Sequence, residues 1–192
     1  DMNNLSYSVG KPILYMAGDA NGWDHSDVLN SDDGVHFTGY MYLNQNGFKF
    51  STQPNWNGTS YGADFDTAPD AGNIVITEDA GFYQVDVNLS EKTYKLSPFS
   101  IGIIGNATPS GWDSDTDMTY NPEDRCWEIK GVELSDGDMK FRANDDWKLN
   151  WGGELDNLKQ DDPNIAVAAG TYDIKLYIDW EVNTAKCVMT KK

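Results

Sequence analysis

Apolar and polar positions along the chain alternate with period two rather than recurring every three to four residues. Tyr83-Gln84-Val85-Asp86-Val87-Asn88-Leu89 and Tyr172-Asp173-Ile174-Lys175-Leu176-Tyr177-Ile178 are the clearest runs. Each predicts a strand with one face buried and the other wet. Clusters of Gly, Asn, Asp and Pro separate such runs at intervals of roughly ten residues, and no amphipathic helix of ordinary length can be traced. The pattern predicts an all-β chain built from antiparallel β-sandwich architecture.

The chain also repeats itself. Ile13–Asp24, ILYMAGDANGWD, matches Ile101–Asp113, IGIIGNATPSGWD, each an apolar run leading into a Gly-rich turn and a Trp-Asp pair. Downstream, Phe48-Lys49-Phe50 answers Met139-Lys140-Phe141, Trp56 answers Trp147, Tyr61-Gly62 answers Trp151-Gly152, and Asn73-Ile74 answers Asn164-Ile165. Trp56 follows Phe50 by six positions, as Trp147 follows Phe141, and Asn73 follows Trp56 by seventeen, as Asn164 follows Trp147. A repeat of roughly 90 residues has the size of a small sandwich domain, not of a solenoid unit. The expected organisation is a tail or linker over 1–10, a first module over 11–98 and a second over 99–192, with Ser97-Pro98 near the junction.

Within this repeat the tryptophans stand out. Trp23 and Trp112 fall in Gly-flanked turns, and Trp56, Trp147 and Trp151 fall in the polar runs NWNGTSYG and DDWKLNWGG, whereas Trp127 and Trp180 lie in strand-like runs and are expected in the core. A flat indole offers a rigid apolar face to the C–H patch of a pyranose ring at little rotamer cost, and the surrounding hydroxyls then need amide or charged partners. Each repeat supplies these types in one order: Trp23, Lys49, Trp56, Tyr61 and Asn73, then Trp112, Lys140, Trp147, Trp151 and Asn164. Strand alternation turns Lys49 and Lys140 away from the core that their neighbours enter, and Arg142 shares the face of Lys140. All eleven residues are candidates for carbohydrate binding. The fuller WxxNWGG run puts the stronger expectation on the second module.

The constellation resembles the carbohydrate-binding modules of the SusE and SusF surface lipoproteins, above all in FRANDDWKLNWGG from Phe141 to Gly153. The order Trp23, Lys49, Trp56, Asn73 is also similar to the Trp, Lys, Trp, Asn set of glycogen-binding modules related to isoamylase N-terminal domains. The resemblance implies Ig-like or starch-binding-module-like sandwiches in tandem. It further implies non-catalytic binding of starch and α-1,4-glucans, maltooligosaccharides included, at a bacterial outer membrane. SusC/SusD-like uptake proteins are the implied partners. The lipidated cysteine and N-terminal Ig-like domain of such lipoproteins are not found in this chain, so a C-terminal fragment and a monomer are expected. Two alternatives stay open: a protein-interaction or adhesion module of a transporter complex, and binding of a different polysaccharide.

Charge narrows the partners further. Fourteen Lys+Arg against 31 Asp+Glu give a formal charge of −17, spread over both halves (4 − 13 = −9 for residues 1–98 and 10 − 18 = −8 for 99–192). Such a field repels nucleic acid and anionic membrane surfaces. No run approaches the roughly 20 apolar residues of a membrane span.

Catalysis and metals find less support. His25 and His36 are the only histidines, both in the first repeat, and no G-x-S-x-G elbow accompanies them. Asp24 and Asp113 match between repeats but follow their loop tryptophans and are read as fixing the turns. No Asp or Glu matches among the lysine and tryptophan positions, so no enzyme is expected. Asp113–Asp117 mimics the start of a calcium loop, yet Met118 stands where glycine is needed, and neither metal nor cofactor is expected. Cys126 and Cys187 allow one disulfide or two free thiols.

Overall fold

The computed structural model describes residues 10–192; residues 1–9, most of the expected tail over 1–10, lie outside the described residues. Strand makes up 54 % of the chain and helix 3 %, the helix of the described residues being two 3-10 turns, Asp19–Asn21 and Ala63–Phe65. None of it is long and apolar enough to cross a membrane. The chain divides into two compact units. One comprises the residues up to Ala80 with Gln84–Leu96, the other Gly81–Tyr83 with Ser97–Lys192.

The first seven strands are β1 (Ile13–Gly18), β2 (Asp27–Asn30), β3 (His36–Leu43), β4 (Phe48–Ser51), β5 (Ser60–Tyr61), β6 (Gly81–Asn88) and β7 (Thr93–Pro98), all in the first unit except for the Gly81–Tyr83 start of β6 and the Ser97–Pro98 end of β7. They form an antiparallel sheet in the order β5-β4-β1-β2-β3-β6-β7. The period-two pattern is the cause of the layering. In β3, Phe37, Met41 and Leu43 point inward while Thr38, Tyr40 and Tyr42 do not, and in β4 Phe48 and Phe50 are buried around a half-buried Lys49.

The second unit contains β8 (Ile101–Ile104), β9 (Thr116–Asp117), β10 (Thr119–Asn121), β11 (Cys126–Leu134), β12 (Gly137–Ala143), β13 (Asp146–Glu154), β14 (Asn157–Gln160), β15 (Ile165–Val167), β16 (Gly170–Asp179) and β17 (Thr184–Lys191). Its sheet runs β10-β11-β16-β17-β14-β13-β12-β8-β9, with β15 joined to β12. Phe141, Trp151, Leu158, Ile174 and Leu176 are completely buried in its core, with Trp127 close behind.

The registers explain why the sequence repeats. Lys49 pairs with Ala17 on β1, and Lys140 pairs with Ile104 on β8. Phe50 faces Tyr61 across β4 and β5, as Phe141 faces Trp151 across β12 and β13. Ile74 bridges to Phe48 as Ile165 pairs with Met139. Conserved spacing between the two halves therefore reflects the same strand register built twice.

Downstream of those strands the units differ. Asn157-Leu158-Lys159-Gln160 forms β14, pairing with β13 and β17. The corresponding stretch of the first unit contains Pro69, which has no N–H to give a ladder, and it folds as a loop behind the Ala63–Phe65 turn. Phe65 anchors that loop, buried and stacked on Phe50 at 6.2 Å and 23°.

Cys126 and Cys187 are both free and buried. Burial pushes the Cys187 thiol up to about 12 and raises that of Cys126, so the nucleophilic thiolate is suppressed in the folded chain. Neither thiol is expected to react with Ellman's reagent at mildly alkaline pH, and both should react once guanidinium unfolds the protein. Prompt labelling of the folded chain would contradict this packing.

Candidate functional site

Each unit brings two of the predicted tryptophans together at its surface. In the first, Trp23 and Trp56 lie with ring centroids 6.3 Å apart and planes tilted by 42°. In the second, Trp112 and Trp147 lie at 6.2 Å and 35°. All four rings are exposed, between 37 % and 49 %, whereas tryptophans in a protein of this size are ordinarily highly buried. The two pairs come from matched positions of the repeat and reproduce one another closely.

Local backbone chemistry aims these rings. Gly22 and Gly111, immediately before Trp23 and Trp112, take left-handed φ values of 67° and 62°, a turn that favours glycine. Trp23 itself sits at φ 65°, which is uncommon for a bulky residue and marks a strained, specified position. Asn21 fixes this loop from below. Its side chain accepts from the Gly18 N–H and donates to the Met16 carbonyl and the Asp27 carboxylate. Asp24 accepts from the Ser26 N–H and so closes the turn, as expected. In the second unit Thr108 takes over, its hydroxyl donating to the Gly105 carbonyl.

A different buttress supports each of the other two rings. His25, 7 % exposed, stands edge-on against Trp56 at 4.3 Å and 72°. Its Nε2 is buried with no hydrogen-bond partner among the described residues, and burial holds the imidazole pKa below its ordinary value, opposed by the nearby Asp24 charge. Under Trp147 the Arg142 guanidinium lies 4.8 Å from the ring centroid, a cation–π contact. Arg142 donates through Nε to Asp115 at 2.6 Å. Burial pushes the Asp115 carboxyl up against the downward pull of Arg142. Asn150 completes the support, donating to the Trp147 carbonyl and to Asp161.

Two candidate residues need correction. Trp151 is fully buried and packs edge-on against Trp180 at 5.9 Å, so it belongs to the core and not to a binding surface. Arg142 is 8 % exposed and committed to Asp115, so it holds Trp147 from beneath instead of facing a ligand. Tyr61 is half-buried with its ring 6.4 Å from Phe65, while its neighbours Ser60 and Gly62 line the surface cleft. Asp115, within the run that mimics a calcium loop, is likewise occupied by Arg142.

In the first unit the remaining candidates converge. Trp23, Lys49, Trp56 and Asn73 line one cleft of about 630 Å³. Lys49 donates from Nζ to the Ala71 carbonyl at 2.6 Å, which leaves further ammonium protons to offer. In the second unit Lys140 runs against Gly152, where an added Cβ would come within 3.1 Å of its Cε and 2.2 Å of the Pro163 carbonyl. Gly62 is confined in the same way by the Gly72 carbonyl at 2.2 Å. The exposed Asn164 lines a groove with Asp162, Pro163 and Lys159. Sequence spacing pointed to these rings and lysines but gave no sign of His25, Asn150 or Asp115, because a residue beneath a ring carries no motif.

The neutral state of His25 makes the first unit sensitive to acid. An imidazole held below its ordinary pKa of roughly 6.5 contributes stability that is fully present above that value and is lost as the pH falls through the folded pKa. Thermal melts at falling pH are expected to show destabilisation of the first unit beginning below roughly pH 6.5. A His25→Asn variant, whose side chain tolerates the left-handed φ of 57° at this position, should lack that early loss. Superimposable pH profiles for the two proteins would contradict the assignment.

No family model and no curated protein matches the sequence. Among solved structures the chain is similar to SusF from Bacteroides thetaiotaomicron, with a TM-score of 0.53 and 20 % identity over 93 % of this chain. The match takes in 48 % of that protein, so this chain spans about half its length. At this identity the likeness establishes the shared fold.

Proposed function

We propose that this SusF-like pair of units binds α-1,4-glucan without cleaving it, each unit holding the sugar chain on its two tilted tryptophans. The observation that carries this reading is the duplicated pair, Trp23 with Trp56 and Trp112 with Trp147, exposed and inclined at 42° and 35°. Successive rings of an α-1,4-glucan turn relative to one another and present a curved apolar face, which suits two inclined indoles. A β-1,4-glucan runs flat and calls for coplanar rings. Lys49 and Asn73, in one cleft with Trp23 and Trp56, are the proposed partners of vicinal hydroxyls, and Lys140 and Asn164 hold the matched positions of the second unit. Sites this open and wet bind weakly one at a time, and tandem placement on one polymer raises overall avidity.

Two carboxylates beside the rings have structural tasks that favour binding over hydrolysis: Asp24 is engaged in its turn and Asp115 in its ion pair. The wider setting follows from the same reading. A starch-capturing module of this type belongs at an outer-membrane surface, carried by a lipid anchor and working with SusC/SusD-like uptake proteins, over modules bounded at 11–98 and 99–192.

Calorimetric titration with maltohexaose and cellohexaose tests the reading. Maltohexaose is expected to bind with micromolar to millimolar affinity and to be recovered uncut, and cellohexaose to give no heat. Equal binding of both sugars, or release of shorter oligosaccharides, would overturn it.

A further inference from the structure

The two tryptophan pairs match, but what stands opposite them does not. In the first unit the chain after β5 fails to continue as a strand and instead raises a wall, Thr67–Ala71, whose Thr67, Ala68, Pro69 and Ala71 face the same cleft as Trp23 and Trp56. In the second unit the equivalent residues are spent on β14, hydrogen-bonded to β13 on one side and β17 on the other, and Leu158 is fully buried there. The groove that those residues line, with Asp162–Ala166, includes neither Trp112 nor Trp147.

The wall is held in place independently of any ligand. Phe65 plugs the core at its root. Gly62 donates to the Asp66 carbonyl at 2.9 Å, Ala63 to Gly72 at 2.8 Å and Ala71 to Ala68 at 3.0 Å. The Asp66 carboxylate accepts from the Ala68 N–H at 3.1 Å, and Lys49 ties Ala71 to the strand beneath at 2.6 Å. Gly58–Ser60 line the same cleft, whose volume of about 630 Å³ falls within the range of roughly 300–1,000 Å³ typical of small-ligand pockets. A polymer can run across rings that have no wall beside them, and a wall beside the rings obstructs that passage.

We infer that the first unit selects the end of an α-glucan chain, or a short maltooligosaccharide, whereas the second takes interior stretches of the polymer. This rests on the binding proposed above and assigns the two sites different parts of the same substrate. The wall supplies a hydroxyl from Thr67 and backbone carbonyls to a terminal ring, and it sets the steric limit that an interior ring bonded at both ends would exceed.

The test uses the full chain with one pair removed at a time. A Trp112→Ala/Trp147→Ala protein reports the first unit, and a Trp23→Ala/Trp56→Ala protein reports the second. Each is titrated with maltopentaose and with a large-ring cyclic α-1,4-glucan, which has no ends. The first-unit reporter is expected to bind maltopentaose at least tenfold more tightly than the ring, and the second-unit reporter to bind the two comparably. Thr67→Gly/Pro69→Gly, placed in the first-unit reporter, should bring the ring's affinity up toward that of the linear sugar. Equal affinity of the first-unit reporter for both sugars would overturn end selection while leaving glucan binding intact. Failure of the unsubstituted chain to bind either sugar would overturn the binding proposal itself.

Discussion

Replacing Trp151 with alanine is expected to destabilise the second unit by about 3–5 kcal/mol, a large fraction of the stability of a domain this size. The residue lies opposite Phe141 in the β12–β13 register, has no exposed surface and packs on Trp180. Its removal leaves an indole-sized cavity that a sheet tied on both sides cannot collapse to fill. Trp147→Ala, four positions away in the chain, should cost less than about 1 kcal/mol, because that ring is 46 % exposed and gives up chiefly its contacts with Trp112 and Arg142. Guanidinium unfolding of the two variants separates them. A Trp151→Ala protein that unfolds like the parent while losing glucan binding would return this residue to the binding surface.

The contrast between these two tryptophans shows what the sequence could and could not disclose. Residues 147 and 151 have the same parity, and a regular strand would put both rings on one face. The β12–β13 hairpin is not regular. Ala143 pairs with Asp146 around a tight turn with Asn144 and Asp145 at positive φ, yet Arg142 already pairs with Asn150. Residues 147–149 are therefore looped out of the ladder, which carries Trp147 to the surface while Trp151 returns to the core. Nothing in the WKLNW run announces that slip, and the polar residues around it are the loop's, not the second ring's. Strand periodicity and the preserved spacing of Phe, Lys and Trp were legible because they are local and duplicated. The His25–Trp56 contact and the Asp115–Arg142 pair join residues far apart in the chain, 27 positions for the latter, and no local pattern encodes them, while Asn150 reaches the Trp147 carbonyl from three positions away through the irregular turn.

Removing an exposed pair is expected to have the largest effect on binding. Truncating an aromatic residue at the centre of a contact commonly costs about 2 kcal/mol or more, roughly 30-fold in affinity. Trp23→Ala/Trp56→Ala and Trp112→Ala/Trp147→Ala should each abolish measurable binding in their own unit. On a polymer each double substitution also removes the gain from tandem attachment, so retention should fall by more than one site's share. Because all four rings are exposed, these variants should stay folded, with far-ultraviolet dichroism like that of the parent. Trp127→Ala or Trp180→Ala is expected to act through stability instead, since Trp127 is 5 % exposed and Trp180 packs against Trp151.

Affinity electrophoresis of the full chain, its two paired-tryptophan variants and the fourfold variant in gels containing amylopectin or xylan tests the central claim most directly. Strong retardation of the full chain by amylopectin is expected, with reduced retardation of each paired variant, none for the fourfold variant, and unretarded migration of all four proteins in xylan. Migration of the full chain through amylopectin at its speed in an empty gel, or retardation that survives the loss of all four rings, would contradict it.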